Sequence, residues 1–193
     1  MQMDKTKLQH AATEGSRRVQ EAFGKLSKTK VTANVTEIQS ISDDTIIEKF
    51  KKHGEQAVVA FAQLISGMEG FALFVMSREQ ALLFIDLMND QPVGSTGIMK
   101  DLDRSMIKET LNILSNAYLV SIAKEFQSEV MIGPPLMVTS TRMKSIASDL
   151  SNKPTAEHSV LLDTSLVLNE QHLDLSLYLV FDPSLLETLQ QES

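Results

Sequence analysis

Between residues 100 and 127 the apolar positions recur at helical spacing. Ile107, Leu111, Leu114, Tyr118 and Ile122 share one face of a helix predicted over Lys100–Gln127, and such a face belongs in a core. A second pattern of the same kind runs over Lys5–Lys28, with Leu8, Ala12, Val19, Phe23 and Leu26 as its inward positions. Strand patterns are shorter. Val31–Gln39 alternates apolar and polar residues, with Val31, Ala33, Val35 and Ile38 inward. Gln56–Ser66 and Phe71–Met76 are apolar runs joined by a Gly67-Met68-Glu69-Gly70 turn, a hairpin signal. A second pair of strands is expected at His158–Leu168 and Leu173–Phe181, around a turn at Asn169–His172. A strand over Glu129–Thr139 is interrupted at Gly133-Pro134-Pro135, because proline has no N–H to give to a sheet.

Start and stop signals complete the outline. Ser77-Arg78-Glu79-Gln80 has the S-x-x-Q form of a capping box and opens a helix ending near Met88. Ser42 caps a short helix to about Lys52, Arg142–Leu150 reads as another, and Asp182-Pro183-Ser184 opens a last one to about Gln190. Asn89–Gly97 is rich in turn formers and reads as a linker. Each half then has the order long helix, strand, short helix, two hairpin strands, closing helix. A gapless overlay of the first helix and strand on the second works at an offset of 99, placing Val31 on Val130. The expected fold is α+β: one domain over 1–193, duplicated internally into pseudo-symmetric halves at about 5–90 and about 100–193, with a linker at about 89–99. An antiparallel sheet is backed by the two long helices.

Composition narrows the classes. With 42% hydrophobic and 22% charged residues the chain is an ordinary globular one. A net charge of -7 argues against general nucleic-acid binding, which needs a clustered basic surface. The absence of Cys excludes thiol catalysis, thiolate metal sites and disulfides, and fits the cytoplasm. The N-terminus lacks the apolar segment of a signal peptide, and the apolar stretches, such as Ala57–Ile65, are too short for a membrane span. His10, His53, His158 and His172 have no metal-ligand spacing and read as surface or turn residues, and no Ser/His/Asp set or P-loop is present.

Candidate chemistry is concentrated on the second long helix. Its apolar pattern is broken by a polar stripe of Ser105, Glu109, Asn112 and Asn116 at i, i+4, i+7 and i+11. A Glu and an Asn on an exposed helix face are ordinarily just solvated surface. Here they belong to a longer pattern, Ser105-x3-Glu109-x2-Asn112-x22-Pro135, which average residue frequencies would produce in roughly one protein of this size in a few hundred. The overlay supplies an internal control. The positions matching Ser105, Glu109, Asn112 and Pro135 are Thr6, His10, Thr13 and Thr36, so the first half does not repeat the constellation.

The pattern resembles the [D/S]-x3-E-x2-N-x22-P signature of the CheC/CheX/FliY family of chemotaxis phosphatases, in residue types and in spacing. Glu109–Tyr118 is similar to the helix that carries the family's catalytic pair, and Gly70–Leu87 to its first-half hairpin and closing helix. The resemblance implies hydrolysis of the phosphoaspartate of a CheY-like response regulator. In that reaction Asn112 would hold the attacking water, while Glu109 would dock on the receiver's lysine. Ser105 would orient Glu109, Pro135 would stiffen the chain beside the pair, and Asn116, one turn beyond Asn112, could support it although the motif does not require it. No cofactor of its own is implied, since the Mg²⁺ belongs to the receiver. Thr6, His10, Thr13 and Thr36 are expected to be inactive counterparts. The competing expectation is a non-catalytic binding module that engages CheD or the flagellar motor switch.

Overall fold

The computed structural model describes residues 5–41, 48–49, 51–54, 56–138, 159–168 and 173–181. Two long helices, α1 (Lys5–Ser27) and α3 (Asp101–Glu125), lie side by side over one face of a sheet, with the shorter α2 (Arg78–Met88) beside them. The strands are β1 (Thr32–Ile41), β2 (Val58–Ser66), β3 (Gly70–Met76), β4 (Met131–Ile132), β5 (Leu136–Val138), β6 (Ser159–Leu168) and β7 (Leu173–Phe181). All the pairings are antiparallel, in the order β1-β6-β7-β3-β2-β4, with β5 also on β2. The β2–β3 and β6–β7 hairpins meet at β3–β7, with β1 paired to β6 at one side and β4 and β5 paired to β2 at the other. One sheet thus runs through both hairpins.

The expected inward faces are buried. Ile107, Leu111, Leu114, Tyr118 and Ile122 on α3, and Leu8, Ala12, Val19 and Phe23 on α1, enter one core. The helices run antiparallel, with His10 meeting Glu125 and Gly15 facing the Tyr118 ring. A Cβ at position 15 would stand 2.5 Å from that ring, so only glycine lets the two axes come this close. Small residues do the same under the helices, where Ala60, Ala62 and Ala72 face the core. The opposite face of the sheet carries a smaller cluster that includes Val59, Phe71, Leu73, Val75, Leu161 and Val180. Burial on both faces explains why β3 and β7 read as continuous apolar runs rather than alternating ones.

Several local expectations are met. The Ser77 hydroxyl accepts from the Gln80 N–H at 3.1 Å and starts α2. The strand expected over Glu129–Thr139 is split into β4 and β5 by Gly133-Pro134-Pro135. The turn at Asn169–His172, the helices expected at Arg142–Leu150 and after Asp182, and most of the one after Ser42 lie outside the described residues. Among the described residues no helix is long and apolar enough to cross a membrane.

The stretch read as a linker is held by a buried carboxylate. Asp86, on α2, is fully buried; its Oδ2 accepts from the Gly94 and Ser95 N–H groups at 2.7 and 3.1 Å, and its Oδ1 from the Thr96 N–H at 2.8 Å. Burial works to raise the carboxyl pKa, but the hydrogen bonds from Thr96, Gly94 and Ser95 outweigh it and hold the group below its ordinary value. The clamp fixes the approach to Lys100, whose N–H is in turn taken by Asp103 at 2.8 Å to open α3. A depressed folded pKa means stabilisation that is complete above the unfolded carboxylate range, about 4, and is lost as pH falls through the folded value. Asp86→Asn should therefore cost about 1–3 kcal/mol at pH 7, since one arm of the amide then turns a donor toward backbone donors. It should also flatten the acid limb of a plot of Tm against pH below about pH 4. A variant Tm curve that stays parallel to wild type through that range would refute the clamp.

Candidate functional site

The outward stripe of α3 contains all the polar positions of the sequence pattern. Ser105, Glu109 and Asn116 are exposed and Asn112 is half-buried, with Ile107, Leu111 and Leu114 pinning the opposite side of the helix into the core. Glu109 and Asn112, three residues apart, open to the same side. The stripe extends further than the motif. Leu102, seven residues before Glu109, is 77% exposed, and Val120, eight after Asn112, is 50% exposed, so apolar side chains bracket the polar pair on the same face.

The amide of Asn112 is held from one side. Asn116 Nδ2 donates to the Asn112 side-chain Oδ1 at 3.0 Å and to the Asn112 main-chain oxygen at 2.8 Å. Ser105, expected to orient Glu109, makes no hydrogen bond to it. Its hydroxyl stands one turn away, at the surface. Pro135 is half-buried in the bend between β4 and β5, both of which pack against α3. The proline is thus near the helix but belongs to the sheet edge.

The first-half counterparts are used differently. Thr6, His10 and Thr13 are exposed on α1, while Thr36 falls in β1, whose pairing with β6 shifts register between Val35 and Glu37. His10 Nδ1 lies 2.8 Å from Glu125 Oε2 and ties the start of α1 to the end of α3, and the Thr13 hydroxyl donates to the Gln9 carbonyl at 2.8 Å. Where α3 presents an acid and an amide to the outside, α1 has an interhelical bond and a helix-internal one.

A second polar group lies on the other face of the sheet and was not visible in the sequence. The buried Asp163 of β6 accepts from Lys49 at 3.0 Å, Lys49 also pairs with Glu37 of β1, and Lys52 stands over the Tyr178 ring at 5.5 Å from its centre. With His53, Ser176 and Asp174 they line a cavity of about 570 Å³. His53, expected at the surface, is half-buried there, 3.4 Å from the Tyr178 hydroxyl; burial, aided by the Lys52 charge, pulls its pKa down to about 4. It is neutral at pH 7. Lysines matched by carboxylates make this a packed ionic layer on the sheet.

No family model and no curated protein matches this sequence. Solved structures do match the fold. The FliY structure from Thermotoga maritima aligns with a TM-score of 0.70 at 13% identity, covering 99% of this chain and 97% of that one. A chain of the FliG–FliM complex from H. pylori gives 0.67 at 9% identity, over 95% and 99%. A chain of the CheX–CheY–BeF3–Mg²⁺ complex from Borrelia burgdorferi gives 0.54 at 14% identity, over 93% and 99%. The architecture is the α+β sheet-and-helix fold of these structures. More particularly, it is the fold of the CheC/CheX/FliY family, as the sequence motif had implied.

Proposed function

We propose that this protein is a phosphatase for the phosphoaspartate of a CheY-like response regulator, ending or damping a chemotaxis signal in the cytoplasm. The observation that supports this most directly is the accessible Glu109–Asn112 pair on a helix whose other side is locked in the core. Hydrolysis of an acyl phosphate needs a water in line with the departing carboxylate, and the receiver itself supplies the acyl phosphate, the Mg²⁺ and a lysine. What a partner can add is position. An Asn side chain offers an acceptor and two donors, enough to hold a water without acting as a base. Glu109, one turn before it, meets the receiver's lysine and sets the approach. Leu102 and Val120 provide apolar contact on either side of the polar insert.

Phosphate release from a phosphorylated CheY-like receiver, with and without this protein, tests the reading; release no faster than from the receiver alone defeats it. In the same assay His10→Ala and Thr13→Ala should leave the rate within about twofold of wild type, because surface pairs and exposed hydroxyls of this kind contribute about 1 kcal/mol or less, and here to the scaffold. A large loss in either variant would show a second working site on α1.

The second reading is a binding module of the motor switch, favoured by the shared fold with a chain of the FliG–FliM complex. It requires that the receiver or a motor component bind with no gain in phosphate release. CheD remains a partner suggested by the motif resemblance.

A further inference from the structure

We infer that Asn116 is a positioning residue for the proposed reaction: its side-chain amide fixes which atom of the Asn112 amide faces the attacking water. The inference rests on the phosphatase reading and adds to it a residue that the four-position motif does not include.

The geometry is specific. An amide side chain on an exposed helix face has two nearly isosteric orientations, related by exchange of its oxygen and nitrogen. At Asn112 that freedom is removed by the Asn116 Nδ2 donor, 3.0 Å from Oδ1. The same Nδ2 is anchored by the Asn112 main-chain oxygen at 2.8 Å, so the donor is itself held to the helix and does not swing with solvent. A carbonyl oxygen has two lone pairs. One is taken by Asn116; the other stays available to accept a hydrogen bond from the water, and Nδ2 of Asn112 is turned to the side away from Asn116. Asn116 does not touch the reacting atoms. Its contribution is to hold one of two orientations before the receiver arrives, which removes a search that would otherwise be made in the complex.

Three substitutions separate this from a structural role. Asn116→Ala removes the donor at an exposed helical position where Ala is the better helix former, so Tm should hold or rise. In the receiver assay kcat should fall about tenfold with KM almost unchanged, since docking through Glu109 is untouched. Asn116→Asp can only accept; it pairs with Nδ2 of Asn112, turns the amide round, and should lower kcat at least as far. Asn116→Gln keeps a donor on a longer arm and should recover part of the loss. A readout without receiver comes from ¹⁵N relaxation of the Asn112 side-chain amide, whose order should drop in Asn116→Ala. Unchanged order, or an unchanged kcat where wild type is active, overturns this inference alone. A wild type that does not accelerate phosphate release overturns the phosphatase reading and this inference together.

Discussion

Asn112→Ala should reduce the acceleration of receiver dephosphorylation by about a hundredfold or more, to a rate close to that of the receiver alone. The size follows from the division of labour. In the proposed reaction the receiver holds the phosphoryl group, the metal and the lysine, so the partner's contribution is the placement of one water, and misplacing a reacting atom by about 1 Å costs about 10²-fold. Truncation at Cβ removes both the acceptor and the donors that could hold it, while Asn116 keeps its Nδ2 on the Asn112 main-chain oxygen at 2.8 Å. Stability should not follow activity. Asn112 is half-buried on the outward stripe, and Ala is favoured in a helix, so Tm should change by no more than a few degrees. Binding should survive too, since Glu109, Leu102 and Val120 remain. The measurement is phosphate release under single turnover, together with a pull-down or titration of the phosphorylated receiver. A variant that binds and still accelerates release within a few-fold of wild type would remove Asn112 from the reaction.

The features that the sequence revealed are those whose physics is local. Helical period places Ile107, Leu111, Leu114, Tyr118 and Ile122 inward, and all are buried; the S-x-x-Q spacing marks the Ser77 hydroxyl as a cap, and it accepts from the Gln80 N–H. The outward pair was legible for the same reason, because a polar stripe on an otherwise apolar helix has a fixed direction once the core face is known. What escaped depends on partners distant in the chain or on a rotamer. Nothing in the turn that holds Asp86 announces the backbone donors at Gly94, Ser95 and Thr96. Asp163 is buried on the reverse of the sheet, where Lys49 meets it across more than a hundred positions of the chain. Asn116 could be placed one turn from Asn112; that its amide is bonded to Asn112 rather than to water is decided by side-chain geometry. Ser105 shows the converse, a motif position whose expected bond to Glu109 is not made.

Gly67→Ala should be strongly destabilising to the β2–β3 hairpin. Gly67 has φ of 73°, in the left-handed region, and a Cβ there would lie 1.4 Å from the Glu129 carbonyl oxygen and 2.9 Å from the Ser128 hydroxyl. The two penalties are separate: the backbone conformation costs a non-glycine residue about 1–3 kcal/mol, and relieving the overlap requires a backbone shift of the kind that costs about as much again. Together they amount to about 4 kcal/mol, or roughly 10 °C in Tm for a chain of this size. Gly94 is the control. Its φ is 86°, but a Cβ would meet no described atom within 4 Å, so Gly94→Ala pays for conformation alone and should lose about a third to a half as much. The overlap also joins stability to the site, because residues 128 and 129 carry the chain from α3 into β4 and on to Pro135. A hairpin pushed away from Glu129 moves that strand edge relative to α3, so Gly67→Ala should lose receiver dephosphorylation even at temperatures where it remains folded, while Gly94→Ala should not. Thermal unfolding of both variants, with phosphate release measured well below each Tm, decides the point; equal losses of Tm would show that the turn has room to open and that the contact with Glu129 does not constrain it.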